Sequence, residues 1–145
     1  MIISEHYKVW GGPRPANLAD LRAEGIKRII SLEAGVYQAL KVYENERDSV
    51  MFQFPCEFGM AEYNMPMSAI QAPDKDYVDK ILKLVADGMP TFIHCEHGQD
   101  RTGFVGAVIK MRYEGWTYKQ ALEWWSAFRH WQYFVWDKEL EKWGV

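Results

Sequence analysis

Residues 94–103 constrain the fold more than any other stretch of this chain. They read His-Cys-Glu-His-Gly-Gln-Asp-Arg-Thr-Gly, follow the apolar run Thr91–Ile93 and open a long helical pattern. A strand that passes through a tight glycine loop into a helix brings backbone N–H groups toward one point, where the helix dipole adds positive potential. The stretch therefore predicts a strand–loop–helix unit that holds a tetrahedral anion over Cys95.

The side chains of this unit suit nucleophilic chemistry at the anion site. A thiol is mostly protonated at neutral pH, but a helix N-terminus and a nearby arginine favour the reactive thiolate. Cys95 has both features. Arg101 adds a planar pair of donors that matches two oxygens of a phosphate. Thr102 can donate its hydroxyl to the sulfur.

The other loop residues have supporting roles in this interpretation. Gly98 supplies the positive φ that the curl requires, and Gly103 allows the helix to pack closely. His94 is expected to fix the loop through its ring nitrogens rather than to act as a general base, while His97 and Gln99 point outward. The predicted phosphate-binding loop consists of Glu96, His97, Gly98, Gln99, Asp100 and Arg101.

The spacing Cys-(any five)-Arg, preceded by His and followed by Thr-Gly, resembles the signature loop of the cysteine-dependent protein tyrosine phosphatases. The small size is similar to their compact dual-specificity class, and the Asp-Arg-Thr-Gly ending to atypical bacterial, plant and fungal members. Weaker likenesses to the start of such domains lie at Gly11–Pro15, before Leu18–Leu21, and at Gly25–Glu33. The resemblance covers roughly residues 7–128 and implies a phosphocysteine intermediate.

Three functions follow from this resemblance. The first is a phosphomonoester hydrolase of the protein tyrosine or dual-specificity type, acting on a phosphorylated protein or a small phosphomonoester. The second is an inositol-phosphate or phosphoinositide phosphatase. Glu96, directly after the cysteine, resembles the glutamate at this position in some bacterial inositol-phosphate phosphatases of the same superfamily. The third is a catalytically weak phospho-binding module, although binding alone would not need Cys95. Glu96 and Asp100 stand where relatives acting on polyanions often carry lysines, which argues against a highly charged substrate. Phosphotyrosine on a protein is the first candidate, because a thiolate site with weak acid assistance works best with a good phenol leaving group.

The general acid is where the sequence departs from the family pattern. Family members usually place an aspartate in the loop before the helix that leads into the signature strand, and residues 66–73 contain none. Asp74 and Asp76 follow in the first turn of that helix, where an acidic residue ordinarily complements the dipole. Asp100 lies beside Arg101, as in relatives whose loop aspartate is proposed to act as the acid. Asp100 is therefore the first candidate and Asp74 the second; a purely structural bond from Asp100 to the loop backbone stays open.

The two cysteines also allow other roles. His94, Cys95 and His97 are possible zinc ligands, but the chain has no Cys-x-x-Cys and no second ligand pair, so neither a metal nor another cofactor is predicted. Cys95 as a buried structural thiol leaves the surrounding glycines and arginine unexplained. Cys56 is either a redox partner of Cys95 or a buried thiol.

Length and charge limit the remaining possibilities. The 145 residues suit one domain, residues 1–145, and the net charge of −3 argues against nucleic acid as a partner. Two cysteines imply no disulfide framework, and no apolar stretch is long enough to span a bilayer. We therefore expect a soluble, cytoplasmic protein; the sequence leaves its oligomeric state open.

Alternating strand and helix patterns predict an α/β fold. The expected sheet is twisted and mostly parallel, with about four to five strands, helices on both faces and the catalytic loop at the C-terminal edge of a central strand. The predicted strands are Tyr7–Trp10, Ile26–Leu32, Ser49–Phe54 and Thr91–Ile93. The predicted helices are a segment capped by Asn17, Gly35–Asp48, one starting at Pro73, Arg101–Glu114, one capped by Thr117 with Gln120, and Trp136–Trp143. Cys56–Ala72 is expected to be a long loop over the active site.

Overall fold

The structure is a computed structural model that describes residues 1–33, 52–55, 60–68, 73–130 and 134–144. The predicted helix Gly35–Asp48 and the second cysteine, Cys56, lie outside these ranges. The strands are β1 Ile2–Ser4, β2 Val9–Gly12, β3 Arg28–Ser31, β4 Phe52–Pro55, β5 Ala61–Asn64 and β6 Thr91–His94. The helices are α1 Leu18–Ala23, α2 Lys75–Val85, α3 Arg101–Tyr113, α4 Tyr118–Ser126 and α5 Phe134–Glu141.

The sheet has the strand order β1-β2-β6-β3-β5-β4. Its four central strands, β2, β6, β3 and β5, run parallel, whereas β1 and β4 pair antiparallel at the two edges. The predicted α/β class with a mostly parallel sheet is therefore confirmed. The described residues form six strands, however, rather than four to five.

Parallel pairing brings the segments that follow four strands to one edge of the sheet. In the register, His94 lies beside Gly12 on one side and beside Ser31 on the other, and Ser31 lies beside Asn64. Hydrogen bonds continue past the strands, from Leu32 N to the His94 carbonyl at 2.8 Å. The segments after β2, β3, β5 and β6 therefore meet at this edge, which is where ligands bind in such sheets.

Residues alternate along the central strands between two apolar faces. Val9, Ile30 and Ile93 belong to the larger cluster, which packs against side chains of α2, α3, α4 and α5. The opposite face carries a smaller cluster around Ile29, to which α1 contributes Leu21. Helices thus cover both faces, as the sequence predicts, because buried parallel strands need an apolar cover on each side.

Helix α3 lies at the centre of the larger cluster. Every residue from Arg101 to Met111 is buried, since the helix is enclosed by β1, α4 and α5. None of the helices within the described ranges has the length and apolar character needed to cross a membrane.

Two strands were not predicted. Residues 61–64, within the expected loop Cys56–Ala72, form β5 between β3 and β4. Their sequence, Ala-Glu-Tyr-Asn, has one aromatic residue and no β-branched one, so strand propensity gives little signal and pairing with two neighbours decides the conformation. Ile2–Ser4 forms β1, and the strand predicted at Tyr7 begins only at Val9, because residues 5–8 turn the chain with Lys8 at a φ of 58°.

The predicted helix caps are largely confirmed. Asn17 accepts a hydrogen bond from Ala19 N at 2.9 Å, and Thr117 forms the capping box with Gln120. Helix α2 starts later than predicted, at Lys75 rather than Pro73, because Asp74 takes the cap position. The last helix starts earlier, at Phe134 rather than Trp136.

Candidate active site

Cys95 directly follows β6, at the edge where the four parallel strands end. It is 2% exposed and is not in a disulfide. The chain turns through residues 96–100 and enters α3 at Arg101. The predicted unit of strand, tight loop and helix is therefore present.

Gly98 makes this turn possible. It has a φ of 71°, as predicted, and a Cβ there would lie 2.3 Å from the carbonyl carbon of Gly12 and 2.4 Å from the nitrogen of Pro13. Both the backbone conformation and the available space thus require glycine. The loop rests directly on the backbone that follows β2.

The buried side chain of Arg101 is anchored by two backbone carbonyls. Its Nη1 donates to the carbonyl of Leu32 at 3.2 Å and to that of Met67 at 3.3 Å. These carbonyls belong to the segments after β3 and β5. Its other two donor atoms, Nε and Nη2, bond to none of the residues that the structure describes. One edge of the guanidinium group is thus available to a ligand.

Thr102 is also buried, and its methyl group faces the backbone of Gly11, where a Cβ would lie 2.8 Å from Thr102 Cγ2. Its hydroxyl makes no hydrogen bond to any described residue, Cys95 included. The predicted bond to the sulfur is therefore not formed in this structure, although the hydroxyl has no competing partner within the described ranges.

A network of Arg14, Glu33 and His94 lies beside the loop. The Glu33 carboxylate accepts from Arg14 Nε at 3.0 and 2.9 Å and from Nη2. His94 Nδ1 is 3.2 Å from Glu33 Oε2, within ion-pair distance but outside hydrogen-bond geometry. The Arg14 backbone N–H also donates to the Glu96 carbonyl at 3.2 Å. The network thus links the segment after β2, the segment after β3 and the residue before Cys95.

Glu33 and His94 both have lowered pKa values. The hydrogen bond from Arg14 lowers the pKa of Glu33. Burial lowers the pKa of His94, although the charge of Glu33 opposes this shift. The neutral form of the imidazole is therefore favoured at neutral pH. This fits a residue that supports the loop better than a residue that acts through its charge.

Glu33 was not predicted as a site residue. The Arg14 side chain is 63% exposed and reaches Glu33. The available signal for Glu33 was its position two residues after a buried parallel strand, where polar side chains approach the ligand edge.

Gln99 contacts α4, and Asp100 contacts the segment that follows α4. The Gln99 carbonyl accepts from Trp125 Nε1 at 3.1 Å, and Asp100 Oδ1 accepts from the backbone N–H of His130 at 2.7 Å. Gly103 permits this contact, since a Cβ there would lie 2.3 Å from Trp125 Cδ1. The close packing predicted at Gly103 is confirmed. Trp125 was not predicted as a site residue, because a tryptophan within a helical pattern ordinarily packs in the core.

The remaining predicted residues lie farther out. The side chains of Glu96 and His97 are 56% and 75% exposed, with 3.8 Å between Glu96 Oε1 and His97 Nε2. Asp74 is exposed and caps α2, where its Oδ1 accepts from Asp76 N at 3.1 Å. Within the described ranges, His, Cys, Asp and Glu residues form no group of three that could hold a metal ion.

Comparison with known proteins gives a family and a fold. The family model described as "Tc-R-P: Polymorphic toxin system, DSP-PTPase phosphatase" matches residues 10–114. None of the curated proteins compared with the chain matches it.

Several solved structures share the fold at low sequence identity. The core catalytic domain of the PP-IP phosphatase Siw14 from S. cerevisiae has 18% identity, covers 92% of this chain and 79% of its own, and gives a TM-score of 0.68. Tk-PTP in the active form has 23% identity, with 97% and 95% covered and a TM-score of 0.68. A variant of P. aeruginosa TpbA in complex with pTyr has 17% identity, with 94% and 85% covered and a TM-score of 0.62.

Proposed function

Because this chain belongs to the DSP-PTPase phosphatase family of polymorphic toxin systems, we propose that it hydrolyses phosphate monoesters with Cys95 as the nucleophile. The thiolate of Cys95 attacks phosphorus, the bond from phosphorus to the ester oxygen breaks, and a phosphocysteine forms as the alcohol or phenol leaves. Water then attacks the phosphocysteine, which releases inorganic phosphate and restores the thiolate.

The observation that carries this proposal is the anchoring of Arg101. Its Nη1 is held by the carbonyls of Leu32 and Met67, which leaves the Nε–Nη2 edge for two phosphate oxygens. The backbone N–H groups of His97, Gly98 and Gln99 donate to no described residue and can bind the same anion. Donors fixed before the substrate arrives stabilise the charge of the transition state most effectively.

For the general acid, the proposal retains Asp100 first and Asp74 second. Asp100 lies directly before Arg101, and its carboxyl accepts a hydrogen bond from the His130 N–H. Asp74 instead caps α2. The acid donates a proton to the leaving oxygen in the first step and takes one from water in the second. The Thr102 hydroxyl would donate to the sulfur as the thiolate leaves phosphorus.

For the substrate, we propose phosphotyrosine on a protein. Loop residues 96–100 include two acidic residues and no lysine, and the charge of the nearby Arg14 is paired with Glu33. These charges favour a substrate with a single phosphate group over a polyanion. TpbA, which shares the fold, binds pTyr. Siw14 is a PP-IP phosphatase, so an inositol phosphate is the second candidate substrate.

The reaction is tested by hydrolysis of aryl phosphates without added metal. The Cys95→Ser variant should lose turnover but still bind phosphate. Comparing p-nitrophenyl phosphate with phenyl phosphate tests the acid, because loss of the acid slows the poorer leaving group more. That pattern in Asp100→Asn, and its absence in Asp74→Asn, supports Asp100; the reverse supports Asp74. If the native protein binds phosphate or vanadate without turnover, it is a phospho-binding module and the enzyme proposal fails.

The substrate class is tested separately by phosphate release from three compounds. These are a phosphotyrosine peptide, the matched phosphoserine peptide and inositol hexakisphosphate. A kcat/KM at least tenfold higher for the phosphotyrosine peptide than for both others supports the proposal. A preference for the inositol compound would replace it, and equal use of both peptides would identify a dual-specificity phosphatase.

A further inference from the structure

The indole of Trp125 is held in one orientation. The ring is fully buried, meets the edge of Phe104 with centroids 5.7 Å apart, and carries the guanidinium of Arg129 over its face at 4.6 Å. Arg129 is itself fixed by Asp137, with Nη1 2.5 Å from Oδ1. A ring enclosed in this way presents its N–H in a single direction, which is toward the Gln99 carbonyl.

This bond fixes the peptide group between Gln99 and Asp100. No described peptide bond is cis, and in a trans peptide the carbonyl and the following N–H point in opposite directions. Because the Gln99 carbonyl is directed toward Trp125, the Asp100 N–H is directed away from α4. The Asp100 carboxyl accepts a hydrogen bond from the backbone N–H of His130, in the segment that follows α4.

The start of the loop is held in the same way, by a carbonyl that accepts a hydrogen bond from outside the loop. The Glu96 carbonyl accepts from the Arg14 backbone N–H at 3.2 Å, so the His97 N–H points away from the segment after β2. The loop is thus held by one outward carbonyl near each end. Of these two carbonyl bonds, the one at Gln99 depends on a side chain, that of Trp125, and it joins residues 26 positions apart in the sequence.

We infer that Trp125 is a positioning residue of the phosphate site: its indole holds the Gln99 carbonyl outward and thereby directs the Asp100 N–H toward the bound phosphate. The inference rests on the proposed function, since it assumes that the loop binds the phosphate of the substrate. An anion-site donor that is free to rotate loses most of its effect, because the peptide must then be reoriented during the reaction. Trp125 therefore acts through the loop without touching the substrate.

The test compares Trp125→Phe with Trp136→Phe. Phenylalanine keeps an aromatic ring but removes the indole N–H. Trp136 is a matched control, because it is equally buried and packs on the same Phe104, with centroids 5.3 Å apart, and on Trp125 itself, with centroids 6.2 Å apart. Its replacement loosens the packing around Trp125 without removing the Trp125 N–H. Two quantities are measured well below the unfolding temperature of either variant: kcat/KM for an aryl phosphate and the dissociation constant of vanadate.

Both variants should lower the unfolding temperature, because both remove part of a buried ring. Trp125→Phe should in addition lower kcat/KM and weaken vanadate binding at least fivefold more than Trp136→Phe does. A smaller difference in either quantity overturns the inference while leaving the proposed function intact. If the native protein neither binds vanadate nor turns over the ester, the proposed function itself fails.

A second measurement does not depend on the folding of a variant. Inorganic phosphate is titrated into the ¹⁵N-labelled native protein while the amide and indole resonances are followed. The Asp100 amide and the Trp125 indole should shift with the same dissociation constant. An Asp100 amide that does not respond while Gly98 does would overturn the inference.

Discussion

Glu33 Oε2 lies 3.2 Å from His94 Nδ1 and joins the segment after β3 to the residue before Cys95. The same carboxylate is held by Arg14, so one acidic side chain connects three separate parts of the chain. Its position makes it a support for the loop rather than a participant in the proposed chemistry.

Glu33→Gln should reduce activity without unfolding the protein. The neutral amide keeps the size of the side chain but loses its charge, so His94 and Arg14 are held less firmly and the loop shifts. We expect kcat/KM to fall about threefold to tenfold, as small displacements at an active site do. The control is Glu24→Gln, which changes an exposed residue at the end of α1. An equal effect of the two variants would contradict this role of Glu33.

Stability should fall as the pH is lowered from 7.5 to 5.5, partly through His94. Its folded pKa lies below the ordinary histidine value because of burial, so between the two values the unfolded chain binds more protons. The contribution of neutral His94 to the free energy of unfolding is complete above about pH 6.5, and it is lost as the pH falls toward the folded pKa. Urea unfolding of His94→Gln should show a shallower dependence on pH over this range. His6→Gln, a change at an exposed site, should keep the native slope; a His94→Gln slope equal to it would refute the assignment.

Gly98→Ala and Gly88→Ala separate backbone strain from loss of the loop. Both glycines have positive φ, 71° and 77°, and a side chain there costs about 1–2 kcal/mol in either case. Only at Gly98 would the Cβ meet backbone atoms, whereas nothing lies within 4 Å at Gly88. Gly98→Ala should therefore lower kcat/KM at least about 100-fold, and Gly88→Ala should lower only the unfolding temperature. Full activity of Gly98→Ala would show that the loop tolerates the displacement.

Arg101→Lys should abolish most activity although the charge is kept. A lysine cannot hold the carbonyls of Leu32 and Met67 and also present two donors to a phosphate. The loss in kcat/KM should reach about 100- to 1,000-fold, the range for a lost transition-state donor. Arg112→Lys, at an exposed position on the same helix, should be neutral. The measurement is kcat/KM for an aryl phosphate. A value for Arg101→Lys within tenfold of the native value would argue against a guanidinium that binds both the carbonyls and the phosphate.

The sequence predicts well what is local. His94 to Gly103 form one continuous segment, so its strand, its loop glycine and its helix could all be read from neighbouring residues. The caps at Asn17 and Thr117 are equally local, since each involves residues within three positions.

What the sequence did not predict depends on distant pairing. Glu33 meets Arg14 across 19 positions, Trp125 meets Gln99 across 26, and His130 meets Asp100 across 30. No spacing rule reports such contacts, because the fold alone brings these residues together. β5 was missed for the same reason, since its neighbours β3 and β4 rather than its own residues make it a strand.

The position of β6 between β2 and β3 has a consequence for biosynthesis. β2 and β3 do not pair with each other, so the strand that joins them is absent until residues 91–94 leave the ribosome. Until then each presents an unpaired edge to other nascent chains and to chaperones. The segment that completes the sheet is followed at once by Cys95, so this thiol joins the folded domain in the same step as β6.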